Sequence, residues 1–115
     1  MPTDFRDGKT FPRRGREPLE SFLWLARVID KARAAAAGTI HDYIYPCPMD
    51  RGVFDRWGIE AKEFEAALRA HADDADIVAW LKERVTPEQR DAANRWLLQE
   101  RRSNLDAQDR DEQGS

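Results

Sequence analysis

Residues 21–38 read SFLWLARVIDKARAAAAG, and YPCPMD follows at residues 45–50. At about 100° per residue, Leu19, Phe22, Leu25, Ala26 and Ile29 share one continuous arc, the pattern of a helix with one face on a core. The helix is expected to start near Glu17 and Pro18, because a first-turn amide has no intrahelical partner for proline to remove. It should stop at Gly38, where glycine takes the left-handed cap conformation without steric cost and Lys31 and Arg33 favour the negative end of the dipole. Trp24, Arg27 and Lys31 fall outside the apolar arc and are expected on the outer side. Asp30 and Arg33 lie within it or at its edge, three residues apart. An unpaired charge loses several kcal/mol of hydration when buried, so the two are expected to pair, with each other or with neighbouring loops.

Beyond the glycine the pattern changes. Ile40, Tyr43, Ile44 and Tyr45 are β-branched or aromatic, and Pro46 and Pro48 push the residues before them toward extended conformations, so residues 39–48 read as an irregular extended crossing. Asp50 is placed to cap a short helix ending at Gly58, with Met49 and Phe54 as its hydrophobic staple. Ile59 and Phe64 repeat that spacing around a helix from Glu60 to about Ala72. Asp73, Asp74 and Asp76 suit the start of a fourth helix, with Ile77, Trp80 and Leu81 at core spacing. Thr86, Pro87, Glu88 and Gln89 supply an N-cap, a first-turn proline and a capping-box partner in order, opening a helix with Ala93, Trp96 and Leu97 inward. The expected fold is all-α: a small single-domain bundle of about five helices, with the extended crossing after the first long one.

The ends bound this domain. Residues 1–16 carry five basic side chains against Asp4 and Asp7 and no sustained period, an extended basic arm with Phe5 or Phe11 as anchor. The helical domain is expected over 17–102, and residues 103–115 read as a disordered acidic tail. A net charge of -3 and a pI near 5.4 lack the basic excess that phosphate-backbone binding needs, so nucleic acid is disfavoured as a partner. The lone cysteine makes no internal disulfide, and no apolar run approaches the ~20 residues of a membrane span. A cytoplasmic setting without membrane contact is the expectation.

The run LARVIDKARAAAAGTIHDYIYPCPMDRGVFDRWGI, residues 25–59, resembles the signature of the bacterial family called domain of unknown function 5069. The resemblance rests on the IDKARA helix at Ile29–Ala34, Gly38, Tyr43 with Tyr45, and the turn of Cys47, Pro48 and Asp50. Further along it rests on Gly58 and Ile59 before a helix carrying Phe64, on Asp76, Ile77, Val78 and Trp80, and on a TPE helix carrying Asn94. It covers roughly residues 12–97, with Met49 where leucine is usual and the polar tail outside. It implies a small, mainly helical bacterial domain and no particular reaction.

The polar side chains concentrated between the first helix and YPCPMD make Asp30, Lys31, Arg33, Tyr43, Cys47 and Asp50 the candidate pocket. Cys47 has two readings. Free amides of the following helix and Arg51 would favour a reactive thiolate, whereas packing beneath Tyr43 or Phe54 would make it an inert small hydrophobe, the preferred reading. His41, Cys47 and His71 fall short of a zinc pattern, and the acidic cluster at 73–76 lacks a calcium loop's spacing, so no metal and no cofactor are expected. Two functions follow. The favoured one is a protein-interaction or self-association module, with a protein partner or a homo-oligomer, motivated by the short length, the many amphipathic helices and Trp24 on the outer side of the first helix. The alternative is a small enzyme or small-molecule binder using the polar pocket.

Overall fold

The computed structural model describes residues 4–6, 10–40 and 43–112. Six α-helices appear there: α1 Leu25–Ala37, α2 Pro48–Trp57, α3 Ala61–Ala70, α4 Asp74–Lys82, α5 Pro87–Arg95 and α6 Arg102–Asp111. A π-helical turn, Trp96–Glu100, joins α5 to α6, and among the described residues there is no strand. The all-α bundle expected from periodicity is therefore present.

The first helix starts at Leu25, later than the sequence predicts. Glu20, Ser21 and Trp24 have positive φ, and Leu19 and Phe22 exchange backbone hydrogen bonds, so the approach to α1 is a pair of tight turns. The Trp24 amide donates to the Gly15 carbonyl of the arm at 2.8 Å. This turns the Trp24 ring inward, and the residue is 1% exposed. The outward placement of Trp24, Arg27 and Lys31 is overturned: all three are buried, because arm and neighbouring helices cover α1 on the side its periodicity leaves to solvent. At the other end Gly38 takes φ 73°, and its cap amide bonds back to Ala34 and Ala35.

The start of α2 also differs from expectation. Cys47, not Asp50, is the N-cap, and Asp50 occupies the third helical position with its carboxylate turned back to the Cys47 amide. For α3 and α5 the expected starts hold, while α3 ends at Ala70 and α5 gives way to the π-helical turn at Trp96. Glu63 accepts from the Glu60 amide at 2.9 Å, and Thr86 and Gln89 exchange both capping-box bonds. Packed α2 on α5, α1 on α3 and α3 on α4 enclose a core centred on Phe22, Val28, Phe54, Trp57, Phe64 and Leu81.

The expected disorder after residue 102 is replaced by α6, whose Leu105 is buried. Asp106, Asp109 and Glu112 recur every three residues and form one acidic stripe. Arg16 pairs with Asp106 and Asp109, Arg14 with Asp109 and Glu112, and Arg27 with Glu112. Each end looks too polar to fold by itself, and the two are complementary. Phe5 is the arm's buried anchor, its amide donating to the Thr39 carbonyl at 2.9 Å. Residues 1–3 and 7–9 of the arm and 113–115 of the tail lie outside the described residues. The Cα radius of gyration, 13.4 Å, equals the ~13 Å of a fully compact chain this long, so arm and α6 both lie back on the domain.

Candidate functional site

The six candidate residues divide among four places. Lys31, Cys47 and Asp50 come together in a sealed cluster under Trp24. The Asp50 carboxylate, with no exposure, accepts from the Trp24 indole Nε1 at 2.8 Å, from Lys31 Nζ at 2.8 Å and from the Cys47 amide at 2.9 Å. Lys31, 4% exposed, also donates to Cys47 Sγ at 3.3 Å and lies 5.9 Å from the centre of the Trp24 ring. The sulfur accepts a second bond from the Asp50 amide at 3.4 Å. A buried ammonium and carboxylate are tolerated only when each finds such partners. The cluster ties α1 to the first turn of α2, and its Lys31–Asp50 pair is closed off from solvent. Cys47 combines parts of both sequence readings: it is a half-buried cap packed against the core, and its sulfur accepts from the Asp50 amide of the following helix and from the Lys31 ammonium, with Lys31 in the place expected of Arg51.

Asp30 lies elsewhere. It accepts from the Arg13 amide, Nε and Nη2 at 2.8, 3.1 and 3.1 Å, and Arg13 continues to Asp74 at 2.7 Å. Arg33 donates to the His71 carbonyl at 3.1 Å and stands 3.8 Å from Asp74. Asp30 and Arg33 therefore do not pair with each other. Arg13 of the arm and Asp74 of α4 link them, long-range partners that helix spacing alone does not reveal.

Tyr43 belongs to a third group. Its ring meets Phe5 edge-on at 5.1 Å and Arg27 at 5.7 Å, and Arg27 makes a bidentate pair with Glu112 at 2.9 and 2.8 Å. Burial, aided by the Glu112 carboxylate, pushes the Tyr43 hydroxyl up to about 12.

Arg33 opens onto the fourth place, a cleft of about 560 Å³ between α1 and α3. Ala32, Ala35 and Ala36 of α1 face Leu68 and Ala72, and Tyr45 with Pro46 closes one side. Polar groups gather at its margin: Arg33, Arg69, Glu65 and the Tyr45 hydroxyl, which donates to Glu65 Oε2 at 3.0 Å. Burial first and the Glu65 carboxylate second raise the Tyr45 hydroxyl far above its ordinary range. Glu65 and Arg69, four residues apart on α3, share a face by helical spacing, but nothing in sequence brings that face to Tyr45. His71 contributes its backbone carbonyl to Arg33, and His41 and Asp42 lie outside the described residues.

Helices around one apolar core, a sealed charged bracket and an adjacent open cleft define a compact α-helical domain with one enclosed and one accessible polar region. The chain belongs to the family described as Domain of unknown function (DUF5069), whose model matches residues 9–114. The match takes in α6, which the sequence resemblance had left outside. No curated protein matches the chain. No helix among the described residues is long and apolar enough to cross a membrane.

Proposed function

We propose that the protein binds a small molecule in the cleft between α1 and α3, and that the Lys31–Asp50–Trp24–Cys47 cluster fixes the turn forming one of its walls. The supporting observation is the cleft itself. Its volume falls in the ~300–1,000 Å³ range of ligand sites, and an alanine and leucine lining with polar groups at its margin is the usual composition of such a site. Of the six candidate residues only Arg33 reaches it; Asp30, Lys31, Cys47 and Asp50 act as supports, and Tyr43 stands with the arm.

The interaction-module reading loses one of the observations that motivated it, since Trp24 is interior. Ile44 and Leu98, the large apolar side chains left exposed among the described residues, are separate positions of the kind monomeric proteins commonly carry.

The test is a screen of small acids, amines and amphoteric molecules by methyl and amide resonances of the labelled protein. Shifts concentrated on Ala32, Ala35, Ala36 and Leu68 are expected, and Ala36→Trp, which fills the cleft from α1, should abolish them without unfolding. Shifts scattered over the surface, or unaffected by the tryptophan, would sink the proposal.

A further inference from the structure

The lining of the cleft carries charges of both signs, Glu65 against Arg33 and Arg69. Glu65 and Arg69 are four residues apart on α3, about 6 Å along the axis. A glutamate followed by a base at this spacing ordinarily forms an ion pair across one turn. Here it does not. Glu65 is turned to the Tyr45 hydroxyl, and Arg69 has no ion-pair or hydrogen-bond partner among the described residues. Arg33, on the facing helix, stands in the same lining; its guanidinium donates to the His71 carbonyl and lies 3.8 Å from Asp74, so its charge is already partly matched. Beside Tyr45 the lining therefore presents a carboxylate steadied by a phenol, and toward the C-terminal end of α3 the Arg69 guanidinium with Arg33 beside the His71 carbonyl; Ala32, Ala35 and Ala36 supply the apolar part of the same lining.

We infer that the cleft takes a zwitterion: a small molecule with an ammonium or comparable cationic donor at Glu65 and a carboxylate or comparable anion at Arg69 and Arg33. This rests on the small-molecule reading of the cleft. A simple anion would meet Arg69 but place apolar or negative atoms beside Glu65, and a simple amine would satisfy Glu65 and leave its tail among guanidinium groups. Only a ligand with both charges satisfies both signs, and an aliphatic spacer matches the methyl surface of Ala32, Ala35 and Ala36. Tyr45 contributes by position. Its O–H is committed to Glu65 Oε2, which holds that carboxylate toward the lining and away from Arg69.

The probes are 6-aminohexanoate, hexanoate and hexylamine, titrated into the full chain and followed at Ala35, Ala36 and Leu68. 6-Aminohexanoate should bind about tenfold more tightly than either single-charge analogue, the factor carried by one charge-assisted hydrogen bond. Glu65→Gln, which keeps an acceptor for Tyr45, should erase the preference over hexanoate while hexanoate itself binds unchanged. Arg69→Gln should erase the preference over hexylamine. If hexanoate or hexylamine binds the wild type as tightly as the amino acid, the zwitterion inference falls and the small-molecule reading stands. If none of the three shifts the cleft resonances, this inference is overturned, and the wider screen then decides the small-molecule reading.

Discussion

Asp50 accepts from three donors that come from three places in the chain: an indole before α1, an ammonium on α1 and an amide at the head of α2. Removing the carboxylate leaves Lys31 charged and enclosed, so Asp50→Ala should cost ~3–5 kcal/mol, read as a lowered urea midpoint. Asp30→Ala should cost less, because Arg13 retains Asp74 and both sites are partly hydrated. Equal losses at the two positions would contradict the assignment of Asp50 as the more deeply enclosed group. Cys47→Ser preserves a capping acceptor and should be nearly silent, whereas Cys47→Ala should lose about 1 kcal/mol as the cap is removed. The two tyrosines carry a pH signature. An acid whose folded pKa exceeds its unfolded value holds its proton more tightly when folded. Tyr43, raised from 10.0 to about 12, therefore gives stability that is full below pH 10.0 and is lost as pH climbs through about 12. Tyr45 acts in the same direction. Tyrosinate absorbance should stay undeveloped near pH 10 while the helical signal persists, and Tyr43→Phe should flatten part of the high-pH decline. Ordinary titration in the folded protein would refute this.

At the scale of the element, boundaries set by local chemistry were legible and those set by distant partners were not. Thr86 with Gln89, Ile59 with Phe64, and Gly38 each signal within a few residues, and the starts of α5 and α3 and the end of α1 fall where those signals place them. The start of α1 is set by the Trp24–Gly15 hydrogen bond, and α6 by arginines some ninety residues earlier, so neither could be read locally. The same limit applies to the site. Lys31, Cys47 and Asp50 were legible as neighbours, while Glu65 and Arg69 needed the α1–α3 packing to become part of anything. Docked α6 changes the expectation for its own residues: Leu105→Ala should destabilise by ~2–4 kcal/mol, and an unchanged urea midpoint would show that α6 contributes nothing. Gly52 gives a second test. Alanine there would gain up to ~1 kcal/mol of helix propensity. Its Cβ would stand 2.2 Å from the Trp96 ring, so Gly52→Ala should destabilise on balance, by ~1–3 kcal/mol. A higher melting temperature in that variant would refute the close approach of α2 to the π-helical turn.

For the molecule as a whole, the ends are fastened largely by charge and the middle largely by apolar packing, so the two should respond differently to salt. Ion pairs at the margin weaken as ionic strength rises, whereas burial of Phe54, Trp57 and Phe64 does not. Amide hydrogen exchange over 102–112 should accelerate in high salt while exchange in α2 and α3 stays slow. The enclosure of Lys31 has one more consequence, in covalent chemistry. Lys62 and Lys82 present their amines to water, whereas the Lys31 amine is shut beneath an indole and held on a carboxylate. Pulses of an acylating reagent would mark the first two at once and reach Lys31 only in molecules that have come apart, so the slow appearance of label at this one position acts as a clock for opening of the entire domain.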